Sequence, residues 1–214
     1  KLVKHIELFT FKYSAVCKMP GNSVEKLYSK YSINISKEIE DNSLNKKKLE
    51  KNLQRLFSQL ETELQELSPT KDIFIEEFKR IKYRNSEATR RLIKYILEEF
   101  NDELTTGETR IDFDKVNLEH LLPQTPTKWN LTKEEVVDYV NCLGNLCLLH
   151  KGKNSGIGND PIRNKIPVLL ESEIKDTMAF AEKIKADDYN WNEDLIYKRQ
   201  IEMAELAFDK IWKY

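Results

Sequence analysis

The sequence is poor in the features that mark membrane spans, disulfide frameworks and zinc sites. No run of about 18 apolar residues occurs, so a membrane-spanning helix is not expected. The chain does not open on a signal-peptide pattern, and its 3 cysteines lack the paired spacing of a zinc site. We therefore expect a cytoplasmic protein without membrane association, in which Cys17, Cys142 and Cys147 are buried, unreactive thiols. Because the first residue is Lys1 rather than Met, we also expect the chain to be part of a longer protein.

Charge is what the chain has in quantity. Of its 214 residues, 33% are charged and 40% are hydrophobic, and the net charge is −1. A nucleic-acid-binding protein of this balance needs a local basic face, and two segments, residues 79–94 and 151–165, are rich in Lys and Arg. For the first segment, a solvated helix surface is the alternative. The candidate nucleic-acid contacts are Arg90 and Arg91 in the first segment and Lys151, Lys153 and Arg163 in the second.

Apolar residues spaced by three and four predict helices through the first hundred residues. The clearest stripe runs from Leu49 to Leu67 and ends at Ser68-Pro69, with a coiled-coil seam over residues 46–67 as an alternative. Ser86 is the predicted N-cap of a later helix. The pattern changes at a turn signal over residues 105–107, so we divide the chain into a helical region, 1–104, and a second domain, 105–214.

The second domain is predicted to contain two short strands among helices. An extended apolar segment that begins at Ile111 ends at Pro123, and a second strand runs through residues 145–149. Thr132 is the predicted cap of a helix over residues 133–141. Three glycines at positions 152, 156 and 158 predict a loop after the second strand, and a helix is expected over residues 160–171.

Residues with catalytic potential gather around the two predicted strands. Hydrolysis of a phosphodiester needs an activated water, charge neutralisation at the phosphate and help for the leaving oxygen. A neutral imidazole accepts a proton near neutral pH, so His120 is the candidate general base. Amide and carboxylate oxygens suit Mg²⁺, so Asn154 is the candidate metal ligand and Glu119 a second one.

Each of these roles has an alternative, which for His120 is a core or helix-capping histidine and for Asn154 a turn residue. Asn145 either bonds the imidazole or ties the two strands together through backbone contacts. Glu119 either reaches a metal at the end of its strand or is a surface carboxylate. Lys165 is expected to contact the scissile phosphate or the DNA backbone, against the alternative of an ordinary exposed lysine.

These residues stand in a pattern that resembles the C-terminal HNH domain of GmrSD-type, modification-dependent restriction endonucleases. The chain differs from the family pattern at two positions, where Ile162 replaces a common Phe and Cys147 replaces a common Thr. Neither residue has a part in the proposed chemistry. The resemblance is carried by Glu119-His120-Leu121-Leu122-Pro123-Gln124, Trp129, Leu143-Gly144-Asn145-Leu146-Cys147-Leu148-Leu149, Asn154, Lys165, Trp191, Ile196 and Arg199.

The resemblance implies a mainly α protein with a small β-hairpin, in which a helical N-terminal half precedes a ββα-metal (HNH, or His-Me finger) nuclease core. It implies His120 as the base, Asn154 as the metal ligand and Asn145 as a site-shaping residue. The expected cofactor is Mg²⁺ or Mn²⁺, and the expected substrate is DNA, including modified phage DNA met in restriction and antiviral defence. Such domains often follow a ParB-like, nucleotide-hydrolysing domain, which we expect as a partner outside this chain.

Two alternatives to a DNA endonuclease stay open at the level of sequence. One is an auxiliary DNA- or protein-binding module that keeps an HNH-like fold without activity. The other is an RNase of the same fold, which residue spacing does not distinguish from a DNase. The sequence also leaves the oligomeric state open.

Overall fold

The computed structural model describes residues 1–105 and 112–214, except the side chains of Phe113, Asn154 and Ser155. It divides into two compact units, the first formed by Lys1–Phe78 with Trp212–Tyr214 and the second by Lys79–Ile211. The predicted domain boundary at residue 105 stays a prediction. The turn signal at residues 106–107 and the start of the extended segment at Ile111 lie outside the described residues.

The first unit is helical throughout its described length. Its core is made by apolar side chains of three helices and the π-helical segment, with Leu64 fully buried, and Phe11 stacks on Trp212 with ring centroids 3.9 Å apart. No helix in residues 1–105 or 112–214 is long and apolar enough to cross a membrane. The helices are α1 (Leu2–Thr10), a π-helical segment (Phe11–Val16), α2 (Asn22–Asn42), α3 (Lys46–Leu67) and α4 (Lys71–Phe78).

The second unit combines helices with one small antiparallel sheet, so the described chain is mainly helical, as predicted. Its helices are α5 (Glu87–Leu104), α6 (Lys133–Val136), α7 (Lys151–Ile157), α8 (Ile162–Leu170), α9 (Lys175–Ala186) and α10 (Glu193–Leu206), which continues as a π-helical segment (Ala207–Ile211). Its strands are β1 (Val116–His120) and β2 (Leu146–His150), and short 3₁₀ turns cover Phe113–Lys115, Thr127–Trp129 and Leu143–Asn145.

The sheet places the two strand ends that matter for function. Val116 lies opposite His150 and His120 lies opposite Leu146, so His120 is at the end of the sheet where β2 begins. Helix α7 follows β2 directly and contacts both strands. A shared core, which includes Cys147, Leu149, Ile157, Ile166 and Phe180, packs the sheet against α7, α8 and α9.

Local sequence signals predicted several helix boundaries correctly. Ser86 caps α5 by accepting a hydrogen bond from the Thr89 amide at 3.3 Å. Thr132 and Glu135 form a capping box at the start of α6, although this helix ends at Val136 instead of continuing to residue 141. Helix α9 is a feature that the apolar pattern did not predict.

The loop predicted from the glycines after the second strand is wrong, because residues 151–157 form α7. A glycine inside a helix costs about 1 kcal/mol relative to alanine. The buried side chain of Ile157 and the contacts of α7 with both strands offset this local preference. Residue 154 therefore lies within a helix that stands against the sheet.

Candidate functional site

His120 is the last residue of β1, and its ring is held by neighbours from two other segments. Its Nε2 lies 3.2 Å from Oδ1 of Asn141, and the same oxygen accepts a hydrogen bond from Nε2 of Gln124 at 2.7 Å. The ring of Tyr83 meets the imidazole edge-on, with centroids 4.9 Å apart. These contacts fix the imidazole at the end of the strand.

Burial sets the protonation state of this histidine. Loss of contact with water lowers the pKa of His120 to about 4, with the Asn141 hydrogen bond opposing the shift and the positive charge of Lys165 adding to it. The ring is therefore neutral near pH 7, and a neutral imidazole has one nitrogen free to accept a proton.

Beside His120 lies a buried ion pair. Lys165 of α8 is fully buried, and its Nζ donates to Oε1 of Glu119 at 2.6 Å and to the carbonyl oxygen of His120 at 2.9 Å. Glu119 is 6% exposed, and burial raises its pKa while the charge of Lys165 opposes that rise. The two bonds of one ammonium tie α8 to the end of β1.

This geometry differs from both roles considered for Lys165. Its side chain is not an exposed lysine, and a buried ammonium with two protein acceptors does not lie at a surface where a phosphate could bind it. Glu119 likewise is not the surface carboxylate that was the alternative to metal ligation. Whether either residue takes part in catalysis stays a prediction.

A basic cleft of about 440 Å³ runs along β1 from His120 toward Val116. Arg90 and Arg91 of α5, both predicted to contact nucleic acid, line this cleft. Arg90 donates a hydrogen bond to Oδ1 of Asn85, and Arg91 forms an exposed ion pair with Glu87. The lining residues are Tyr83, Glu87, Arg90, Arg91, Lys94, Asn117, Leu118, His120 and Gln124. The first basic segment therefore shares a cleft with the candidate base, and its contact with nucleic acid stays a prediction.

Lys94 and Lys151 extend the positive charge toward the far end of β1. Lys94 donates to the carbonyl oxygen of Val116 at 2.7 Å. Burial, together with the nearby charges of Lys151 and Arg90, lowers the pKa of Lys94. Lys151, from the second basic segment, therefore lies close enough to influence Lys94, although it is not one of the residues that line the cleft.

The other two candidates of the second basic segment are engaged elsewhere. Lys153 donates to the carbonyl oxygen of Glu171 at 2.6 Å. Arg163 pairs with Asp188 at 3.1 Å and lies over the ring of Tyr189. Both side chains are outside the lining of the His120 cleft, so the structure does not bring them together with the candidate base.

Asn145 connects backbone segments instead of bonding the imidazole. Its amide nitrogen donates to the carbonyl oxygens of Leu122 and Val140, both at 2.8 Å, and its Oδ1 accepts from the Leu122 amide at 2.9 Å. The indole of Trp191 also donates to that oxygen at 3.1 Å. Of the two roles considered for this residue, the described contacts are those of the second, because they hold the segment after β1 against the turn before β2.

Helix α10 supports the same turn from the other side. The amide of Gly144 donates to the side chain of Gln200, whose Nε2 donates to the carbonyl oxygens of Lys79 and Ile81. A Cβ at position 144 would lie 2.2 Å from the carbonyl oxygen of Ile196, so this position needs glycine. Arg199 completes the support by donating to the carbonyl oxygens of Gly144 and Leu146.

Two residues could supply oxygen ligands to a metal ion, Glu119 at the end of β1 and Asn154 on α7. Oε1 of Glu119 is bonded to Lys165, and its other oxygen, Oε2, makes no hydrogen bond to another described residue. Asn154 lies on α7, which contacts β1, but its side chain lies outside the described residues. Among the residues described, no group of three or more His, Cys, Asp or Glu side chains could hold a metal. A carboxylate and an amide oxygen still suit a hard cation that keeps most of its waters.

Sequence reasoning missed two residues that contact the imidazole, Asn141 and Tyr83. Asn141 and Tyr83 are 58 positions apart in the chain, and neither stands in a motif. Backbone pairing brings them together, because the Tyr83 amide donates to the Asn141 carbonyl oxygen at 2.7 Å and Lys82 bridges to Cys142. No local sequence signal marks this pairing.

A neutral histidine in a basic cleft, beside a strand–strand–helix arrangement, defines a candidate acid–base site for a phosphate-containing substrate. The chain matches the family model of the C-terminal domain of GmrSD restriction endonucleases over residues 68–206, and it therefore belongs to this family. The match confirms the resemblance seen in the sequence and indicates the nuclease domain of a restriction endonuclease. No curated protein and no solved structure matches the chain.

Proposed function

We propose that this chain is a metal-dependent DNA endonuclease of the HNH type, with β1, β2 and α7 as its ββα-metal core. The observation that carries the proposal is the position of His120. Its neutral imidazole lies at the end of β1 and lines the same cleft as Arg90, Arg91 and Lys94. Family membership supports the same reading, because the matched proteins are restriction endonucleases.

In the proposed reaction, His120 removes a proton from a water molecule, which attacks the phosphorus in line with the leaving 3′ oxygen. The cations of the cleft attract and orient the DNA backbone. The leaving 3′ oxygen takes up a proton from solvent, so the products would carry 3′-hydroxyl and 5′-phosphate ends. Glu119 and Lys165 hold the backbone of His120, so the base keeps its position while the substrate binds.

A divalent cation fits this proposal through Asn154 on α7 and the second oxygen of Glu119. When bound, Mg²⁺ or Mn²⁺ would neutralise charge at the phosphate and assist the leaving oxygen. Isothermal titration with Mn²⁺ tests the assignment without measuring cleavage. Asn154→Ala should abolish Mn²⁺ binding, whereas Asn159→Ala, at an exposed position near the end of the same helix, should leave it intact.

The test of function is cleavage of supercoiled plasmid by the full chain in Mg²⁺ or Mn²⁺, with His120→Ala as the matched variant. Nicking or linearisation by the wild type and none by the variant supports the proposal, provided the variant still retards DNA in a gel. Equal cleavage by both proteins would rule out His120 as the base. Parallel reactions on modified phage DNA and on single-stranded RNA distinguish a need for modified bases and an RNase of the same fold.

A further inference from the structure

The contact between Asn141 and His120 has a direction that chemistry imposes. Oδ1 of Asn141 lies 3.2 Å from Nε2 of His120 and also accepts a hydrogen bond from Nε2 of Gln124. An amide oxygen accepts hydrogen bonds and never donates them. The imidazole nitrogen that faces this oxygen must therefore carry the hydrogen.

This requirement determines which nitrogen of the ring is the base. A neutral imidazole has a hydrogen on one nitrogen and a lone pair on the other, and the partner of one nitrogen selects the tautomer. With the hydrogen on Nε2, the lone pair is on Nδ1. The nitrogen that takes the proton from water is then Nδ1 of His120.

The main chain of Asn141 is held in place, and its side-chain oxygen is also bonded by Gln124. Its main-chain carbonyl oxygen accepts from the amide of Tyr83 at 2.7 Å, next to the backbone bridge between Lys82 and Cys142. The ring of Tyr83 packs edge-on against the imidazole. The same pairing of segments therefore positions the acceptor and one wall of the ring.

We propose that Asn141 is a positioning residue that holds His120 as the Nε2–H tautomer and leaves Nδ1 as the atom that accepts the proton from water. This inference rests on the proposed nuclease function for its effect on rate, but the tautomer itself is a property of the free protein. Sequence reasoning considered Asn145 for contact with the ring, and the structure gives that contact to Asn141.

The experiment compares the 214-residue chain with three variants. Asn141→Leu removes the acceptor at similar size, Asn141→Asp keeps an oxygen acceptor, and Asn34→Leu makes the same change as the first at an exposed position of α2. Long-range ¹H–¹⁵N correlation spectra report which ring nitrogen of His120 carries the hydrogen, with signals assigned by their loss in His120→Ala. Thermal melting and DNA affinity without metal are measured for each protein.

The wild type and Asn141→Asp should show the Nε2–H tautomer, and Asn141→Leu should show a mixture of the two. The kcat of Asn141→Leu should fall about 10- to 100-fold, as for other residues that orient a functional histidine, with little change in KM or DNA affinity. Asn141→Asp should recover most of that loss, and Asn34→Leu should match the wild type. A merely structural role would lower the melting temperature without changing the tautomer of the folded protein.

An Nδ1–H tautomer in the wild type, or an unchanged Nε2–H tautomer in folded Asn141→Leu, would overturn the inference. If Asn141→Leu does not fold, the wild-type spectrum and Asn141→Asp still decide the tautomer. This outcome is separate from that of the proposed function. Cleavage by His120→Ala would rule out His120 as the general base, but it would not change which tautomer the spectra show in the wild type.

Discussion

Each strand of the small sheet ends in a histidine, yet the surroundings of the two differ. His120 is enclosed by Asn141, Tyr83 and the Glu119–Lys165 pair. His150, at the opposite end of the sheet, is 34% exposed in its side chain and has Glu173 3.8 Å away. Position at a strand end is therefore not sufficient for a candidate base, and the contacts around the ring separate the two histidines.

The largest difference in cleavage rate should come from replacing each histidine in turn with alanine. His120→Ala should lower the single-turnover rate of plasmid cleavage about 10²- to 10⁴-fold, because it removes the general base. The cleavage rate of His150→Ala should stay within about threefold of the wild-type rate, since we do not expect general base catalysis from a half-exposed ring outside the cleft. A loss of equal size in His150→Ala would break the distinction between the two strand ends.

A second prediction concerns the buried pair that holds the His120 end. Lys165→Met leaves Glu119 buried without its partner, so the free energy of unfolding should fall by about 3–5 kcal/mol in urea denaturation. The double variant Lys165→Met, Glu119→Leu should recover much of this loss, because it removes the unpaired charge.

The control for this pair is Arg163→Met on the same helix. Its ion pair with Asp188 is exposed, so the change should cost about 1 kcal/mol or less. If Lys165→Met were as mild as Arg163→Met, the pair would not be what fixes the end of β1.

The turn that leads into β2 at the His120 end gives a third prediction. Gly144→Ala should lower the free energy of unfolding by about 1–3 kcal/mol, because the added Cβ would overlap the Ile196 carbonyl and force backbone shifts. Gly152→Ala, just after β2 at the His150 end, meets no atom within 4 Å and should raise stability by up to about 1 kcal/mol. Opposite signs in thermal or urea unfolding are the expected result.

The smallest effect should be on DNA affinity. Arg90 lines the cleft, so Arg90→Ala should reduce the slope of log K against log salt by about 0.9, the loss of one phosphate contact. Arg163 lies outside the cleft and is paired with Asp188, so Arg163→Ala should leave the slope unchanged. A larger change in Arg163→Ala would place the DNA on the other basic segment.

The sequence was informative wherever the signal was local. Ser86 and Thr132 cap their helices as their side chains predict, and the two strands lie close to their expected positions. The helical nature of the chain followed from apolar spacing of three and four. Such signals depend on neighbours within about one helical turn, so a single sequence contains them.

Features that depend on distant partners were missed or placed wrongly. Lys165 reads as a surface lysine because its charge favours water, and its partner Glu119 is 46 residues earlier in the chain. The glycines of α7 favour a loop until packing against the sheet is considered. Asn141 stands in no sequence motif, since backbone pairing with residues near Tyr83 brings it to the ring of His120. Tertiary contacts decided all three cases.

The long-range support of the turn at Gly144 has a consequence for the order of events during protein synthesis. Gln200 joins the Gly144 amide to the carbonyl oxygens of Lys79 and Ile81, so this junction needs residues from both ends of the second unit. A ribosome-bound chain can make both strands and α7 long before Gln200 leaves the exit tunnel. The turn that leads into β2 therefore gains this support only after residue 200 has left the exit tunnel, so its two sides are joined later than the neighbouring strands can pair.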